Sequence, residues 1–237
     1  MATCRVLDGA LLWGARPCLV SRGCAFLSLK AKLARLEATS NPAQRTLIYE
    51  LPSIIERLDL TRLFSIQQRV EAELGSGDGS FLVEYASRHP ERNFIGIERL
   101  LGRIQKLSRK AIRTGLGNVA GIRIESSYFL EYLLPENSVA ALHIYFPDPW
   151  PKRKHQENRL INERFPELAS RVLQPQGVVY LRTDDADYFE QIVEVFGGSA
   201  RFHQTDTPAE LSATLTDFEK DFLARGIQTV RAAYELI

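Results

Sequence analysis

Glu73-Leu74-Gly75-Ser76-Gly77-Asp78-Gly79 places three glycines at alternate positions behind a carboxylate. Glycine lets a backbone turn sharply and approach a ligand that a β-carbon would hold off. Glu98 follows 19 residues after Gly79, at the end of an isoleucine-rich run. A carboxylate there can accept hydrogen bonds from both hydroxyls of a ribose. Dinucleotide loops run G-x-G-x-x-G and turn a helix N-terminus toward pyrophosphate. Counted from Gly75, the last glycine of that pattern is replaced by Ser80, and Glu73 stands where its charge would oppose a pyrophosphate. A carboxylate in that place suits a cation. S-adenosylmethionine carries a sulfonium and an ammonium and no phosphate, so the loop favours it over NAD. A plain tight turn is the bland alternative.

A second constellation is Phe146-Pro147-Asp148-Pro149-Trp150-Pro151-Lys152. Each proline restricts the residue before it to extended geometry, so Asp148 is held on a stiff loop. The loop follows an apolar strand, and an open α/β sheet binds its ligands at the carboxyl ends of its strands. A rigid surface turn with a packing tryptophan is the competing reading. His89, His143, His155 and His203 show no metal-ligand spacing, and no cysteine lies near them, so no metal is expected. His143, inside an apolar strand, reads as a hydrogen-bonded core residue.

The elements that must position these residues alternate. Strands are expected at Arg69–Leu74, Asn93–Glu98, Ala120–Glu125, Val139–Phe146, Val178–Thr183 and Thr229–Leu236. Helices are expected at Ser80–Ser87, Leu100–Thr114, 159–173 and Tyr188–Phe196, with a helical pair over Leu47–Leu63 ahead of the first strand. Parallel neighbours need a crossover, usually a helix, so this rhythm implies an α/β fold with a doubly wound, mostly parallel sheet.

The composition is that of a folded domain: 45% of the 237 residues are hydrophobic and 25% charged, which excludes wholesale disorder. No apolar run is long enough to span a bilayer. The net charge of +1 conceals a divided chain. Residues 1–45 hold seven cations and two anions, leaving 23 cations and 27 anions for the rest. Cys4, Cys18 and Cys24 all lie in this leader, and the cysteine-free remainder fits a reducing compartment, the cytoplasm. The leader, residues 1–46, reads as a basic tail, as sequence upstream of the working start, or as an organellar targeting segment. Residues 47–237 are expected to form a single domain.

Taken together, these residues closely resemble the tRNA (guanine-N7)-methyltransferase family, whose members methylate guanosine 46 in the variable loop of tRNA. The resemblance covers the chain from about Tyr49 onward. It rests on the Glu73–Gly79 loop, Gly96-Ile97-Glu98, the Phe146–Lys152 loop, Thr183-Asp184 and Thr216-Asp217-Phe218-Glu219. It implies a Rossmann-like class I methyltransferase domain with its final strand antiparallel, using S-adenosylmethionine. Glu73, Gly75, Gly77, Glu98, Tyr128 and Asp148 would bind the cofactor, with Asp148 as the catalytic carboxylate. Lys152, Asp184, Thr216, Asp217, Phe218 and Glu219 would contact the tRNA nucleotide. Tyr128 stands where the family commonly has Asp or Asn near the adenine. The basic run Lys152–His155 is interrupted by Gln156-Glu157-Asn158 before Arg159. The expected protein is a monomer or homodimer without an obligate partner protein.

Guanine N7 has an in-plane lone pair and no proton, so methyl transfer needs alignment rather than a general base. The product base is cationic, and a fixed carboxylate can stabilise that charge as it forms. Arg99, Arg103, Lys106, Lys110 and Arg113 recur at helical spacing as one stripe beside the apolar Leu100, Ile104, Leu107 and Ala111. The stripe is either a solvated face or a contact for RNA phosphates. Two rivals remain: a methyltransferase of a small molecule or protein, which leaves the tryptophan loop and Thr216–Glu219 unexplained, and a non-catalytic tRNA-binding subunit, against which the intact carboxylates argue.

Overall fold

The computed structural model describes residues 46–237; the basic leader, with its three cysteines, lies outside the described residues. Seven strands make one sheet: β1 (Arg69–Leu74), β2 (Arg92–Ile97), β3 (Val119–Ile122), β4 (Val139–Tyr145), β5 (Leu173–Thr183), β6 (Phe202–Thr205) and β7 (Val230–Leu236). Their order is β3-β2-β1-β4-β5-β7-β6. The first five run parallel, and β7 enters antiparallel between β5 and β6. The doubly wound, mostly parallel sheet with an antiparallel end is therefore as expected from the sequence. All seven residues of β4 are buried, the mark of a central parallel strand covered on both faces.

Six helices flank the sheet: α1 (Ser80–Arg88), α2 (Leu101–Arg113), α3 (Phe165–Val172), α4 (Ala186–Gly197), α5 (Ala209–Ala213) and α6 (Asp217–Ala224). On one face α1 and α2 bury Phe81, Leu82, Ile104 and Leu107; on the other, Phe165, Val172, Ile192 and Phe196 close the second core. The start of α1 leans on α2 so closely that a β-carbon on Gly79 would lie 2.5 Å from Leu107 Cγ. That glycine is needed for packing as well as for its φ of +76°.

Three expectations are corrected. Leu47–Leu63 forms no helical pair: Tyr49 donates to the Gly121 carbonyl and Gly121 to that of Leu47, so Ile48 extends the sheet beside β3. Only Leu60–Arg62 makes a 3₁₀ turn, capped by Asp59. An exposed strand edge with open backbone groups outweighed the segment's local periodicity. The helix expected over 159–173 is confined to Phe165–Val172, because the residues from Arg159 to Arg164 are spent on side-chain contacts of the loop. Finally, β5 starts at Leu173 and absorbs Pro175-Gln176-Gly177 as an irregularity in its pairing with β4. Several elements carry no strong local pattern and went unforeseen: a helical turn at Ser126–Tyr128 continuing as a π-helix (Phe129–Leu133), and β6, α5 and α6.

Candidate active site

The carboxyl ends of β1, β2 and β4 open into two clefts that share Gly75, Arg103, Tyr145 and Phe146 in their walls. The first, about 380 Å³, is also lined by Glu73, Ser76, Gly77, Asp78, Thr216, Asp217 and Phe218. The second, about 320 Å³, is lined by Glu98, Ile124, Ser126, Asp148, Trp150, Asn158 and others. Glu73 and Asp148, which are 75 positions apart in sequence, thus line adjoining clefts with shared walls.

The glycine loop shapes its floor. Gly75 and Gly77 hold φ of +82° and +56°, and a β-carbon on either would meet nothing within 4 Å. The left-handed turn needs glycine, and the space above it is open to a ligand. Glu73 sits at the bottom with only 4% exposure. Its Oε2 and the Oγ of Ser76 are buried without a hydrogen-bond partner. Burial pushes the Glu73 carboxyl up to about 8; the Arg182 charge offsets this only in part, and Asp78 and Glu98 add to it. A buried polar pair without partners is costly unless something else supplies them. A cationic hydrogen-bond donor in the cleft would satisfy both.

Glu98 is set at the end of β2 and buried to 6% exposure. Its Oε1 accepts the Leu100 N–H at 2.7 Å, and its Oε2 lies 4.0 Å from Arg103 Nη1. One oxygen is thereby fixed, and the carboxylate keeps free lone pairs toward the cleft, as contact with a ribose requires.

The loop after β4 carries Asp148 into the second cleft as an exposed side chain. Phe146 and Trp150 bracket it with φ of +53° and +44°. Non-glycine residues in that region cost about 1–3 kcal/mol each and persist only where the surroundings hold them. Phe146 is tied by its N–H to the Arg182 carbonyl at 2.8 Å, and Pro149 by its carbonyl to Arg159 Nε at 2.7 Å. The expectation that each proline holds the residue before it extended fails at Phe146 and Trp150, which precede Pro147 and Pro151 yet turn left-handed, because the ties to Arg182 and Arg159 outweigh that local preference.

The remaining expected site residues divide. Thr216, Asp217 and Phe218 reach the first cleft at the start of α6. Lys152 and Asp184 are exposed nearby in sequence but border neither cleft. Glu219 points inward instead: it is 1% exposed, closes the capping box with Thr216 and is bonded to Arg182 and Arg231. Tyr128 also faces elsewhere, donating its hydroxyl to the Ile54 carbonyl at 2.8 Å and packing on Tyr132. Ile124 and Ser126 line the cleft in its place. Both departures arise because neighbours along a helical turn face different ways.

Sequence reasoning missed the residues beneath the site. Tyr145 walls both clefts, and its hydroxyl lies 2.8 Å from Nδ1 of His143, whose Nε2 lies 2.8 Å from Glu71. His143 is thus the hydrogen-bonded core residue that its strand position suggested. The Arg182 guanidinium covers the Tyr145 ring at 4.2 Å. On α2, Ile104, Leu107 and Ala111 of the expected apolar stripe are fully buried, but Leu100, just ahead of the helix, is exposed. Of the basic stripe, Arg99, Arg103 and Lys106 border the clefts and Arg113 is exposed. Lys110 pairs with Asp78, whereas Lys106 and Arg113 have no carboxylate partner among the described residues.

Among the described residues, no group of His, Cys, Asp and Glu is placed to hold a metal, and no helix is long and apolar enough to cross a membrane.

Residues 67–232 match a protein family described as "Putative methyltransferase". A Nitrosococcus oceani protein named tRNA (guanine-N(7)-)-methyltransferase is 34% identical over 209 residues, covering 85% of this chain and 87% of that protein. One of the same name from Thermotoga maritima is 35% identical over 145 residues; the match covers 61% of this chain but only 46% of the relative's length. Among solved structures, the 16S rRNA methyltransferase KamB superposes with a TM-score of 0.57 at 16% identity, over 76% of this chain and 94% of that one, a likeness of fold alone.

Proposed function

The chain belongs to the tRNA (guanine-N7)-methyltransferase family, and from that premise we propose that it transfers a methyl group from S-adenosylmethionine to guanine N7 at position 46 of tRNA. The observation that carries the reading is the partnerless Glu73 Oε2 and Ser76 hydroxyl, buried in a cleft that shares its walls with the one lined by Glu98 and Asp148. When bound, S-adenosylmethionine supplies an electrophilic methyl group on a sulfonium centre. Glu73 answers the ammonium of its methionine part, and Gly75 and Gly77 let the backbone approach it. Glu98, anchored by Leu100, accepts from the ribose hydroxyls. The adenine side falls to Ile124 and Ser126, not to Tyr128.

Asp148 acts by position and charge. It removes no proton, because N7 has none; it orients the guanine and stabilises the positive charge that grows on the ring. Phe218, 53% exposed and 6.1 Å from the Phe146 ring, offers a flat apolar surface at the mouth. Thr216 and Asp217 border the nucleotide beside it, and Lys152 and Asp184 contact the surrounding RNA. Glu219 holds this edge in place from below. The unpaired cations of α2 continue the RNA contact, because phosphates dominate the affinity of proteins for nucleic acid. The absence of cysteine after Cys24 supports a reducing compartment, the cytoplasm.

The test is to incubate the full chain with methyl-labelled cofactor and unmodified tRNA, then cleave the product with borohydride and aniline at N7-methylguanosine. Label in tRNA with cleavage at nucleotide 46 is the expected result. Folded protein that binds cofactor but leaves the tRNA unlabelled would overturn the reading.

A further inference from the structure

Arg159 sits in a basic stretch, yet its side chain is 2% exposed. Its neighbours Asn158 and Leu160 line the cleft that holds Asp148, while the Arg159 guanidinium turns beneath the loop. There Nε donates to the Pro149 carbonyl at 2.7 Å, Nη1 to Gln191 Oε1 at 2.7 Å and Nη2 to Asp187 Oδ2 at 2.5 Å. The guanidinium also lies 4.7 Å from the centre of the Tyr188 ring. Asp187, Tyr188 and Gln191 all belong to α4, so Arg159 fastens the residue after Asp148 to a packed helix.

We propose that Arg159 is a positioning residue for methyl transfer, holding the Asp148 carboxylate at its working place through the Pro149 carbonyl. This rests on the reading of Asp148 given above. The loop needs such a hold. It enters and leaves through left-handed residues, Phe146 and Trp150, and between its prolines it has little backbone with which to bond itself. At its entry the Phe146 N–H is tied to β5; near its exit the Arg159 bond is the corresponding tie. Only a planar guanidinium reaches the carbonyl, the carboxylate and the amide at once. A lysine would keep the charge and lose the fork.

The chain has two tryptophans, so Trp13→Phe leaves Trp150 as the sole reporter of the loop. In that background, Arg159→Lys, Asp187→Asn and Asp148→Asn are compared with the parent. For Arg159→Lys, the single-turnover rate at saturating tRNA and cofactor should fall roughly 10–100-fold, the effect of a small misplacement of a reacting group. Cofactor Kd should stay within about twofold, because Glu73 and Glu98 are untouched. Acrylamide should quench Trp150 more strongly. Asp187→Asn, at an exposed position, should move both readouts the same way by less. Parental rate and quenching in folded Arg159→Lys would overturn the proposal, as would a loss explained wholly by weaker cofactor binding. If Arg159→Lys does not fold, unchanged rate and quenching in Asp187→Asn overturn it. A parental rate in Asp148→Asn alone would remove the catalytic reading of Asp148 and leave the clamp standing. If the parent transfers no methyl group, the proposed function fails and quenching alone decides whether Arg159 holds the loop.

Discussion

Arg182 Nη1 and Glu219 Oε2 lie 2.6 Å apart, and both side chains are 1% exposed. Further hydrogen bonds gather around this contact. Arg182 also donates to the carbonyls of Thr214 and Leu211, while Glu219 accepts from the Thr216 N–H and from Arg231. The same guanidinium covers the Tyr145 ring. One buried cation thereby joins the Thr216–Phe218 edge of the cleft to its Tyr145 wall. A buried ion pair is tolerated where both partners make further hydrogen bonds, as Arg182 and Glu219 do.

Removing one partner should be severe. Glu219→Ala leaves Arg182 charged and buried, at a cost of about 3–5 kcal/mol. For a domain of this size that corresponds to a fall in Tm of roughly 6–20 °C by calorimetry. Glu219→Gln keeps acceptor and shape and should lose less. An unchanged Tm in Glu219→Ala would mean that the α5–α6 segment is not held by this pair.

Glu73 should make cofactor binding depend on pH. Burial raises its carboxyl to about 8, so below that pH it is neutral and must lose a proton to face an ammonium. Affinity should therefore rise as pH rises toward 8 and level off above it. Binding at pH 7 should release a proton, visible as a buffer-dependent heat in calorimetry. Stability without cofactor runs the other way. The contribution of neutral Glu73 is fully present below the ordinary carboxylate range and is lost as pH climbs through about 8. Glu73→Gln should abolish both dependences, and a flat affinity profile in the unsubstituted protein would disprove the assignment.

Glu98→Ala should weaken S-adenosylmethionine binding by about 1–3 kcal/mol, the range for losing hydrogen bonds to a charged group. The fold should survive, since the substitution frees only the Leu100 N–H near the surface. Calorimetry giving unchanged affinity in a folded variant would remove Glu98 from the ribose site.

The contrast between β4 and Arg159 explains what could be foreseen. Buried parallel strands favour near-continuous apolar residues, so β2 and β4 are legible to within a residue of their ends, whereas β1, which buries Glu71 and Glu73, is marked by the glycine loop that follows it. The glycine loop and Asp148 are legible because glycine frees the backbone and proline restricts it, both locally. Side-chain direction in a loop is not local. Glu219 reads as a nucleotide contact and Arg159 as the end of an interrupted basic run until β5 and α4 supply their partners, and Tyr128 reads as a cleft residue until its helical turn rotates it toward Ile54. The Leu47–Tyr49 extension is hidden for the same reason: its partner is the backbone of Gly121.

The α2 cations should show themselves through salt. If Lys106 and Arg113 each meet a phosphate, the double replacement by alanine should weaken tRNA binding and make the slope of log K against log salt shallower by about two units. Arg113→Ala alone should leave cofactor affinity unchanged, because of the two only Lys106 borders the cleft of Glu73. An unchanged slope would identify the stripe as a solvated face.

Asp148→Asn separates chemistry from binding. The substitution keeps the shape of the side chain and some acceptor capacity, but removes the charge. If the carboxylate stabilises the cationic base as it forms, turnover should fall roughly 10²–10³-fold, as when one transition-state contact of this kind is lost. Cofactor affinity should change far less, since Glu73 and Glu98 remain. Lys152→Ala should behave inversely, with weaker tRNA binding, a salt slope shallower by about one unit and single-turnover chemistry largely kept. Near-parental single-turnover rates in Asp148→Asn, at saturating tRNA and cofactor, would make Asp148 a turn residue between two prolines and nothing more.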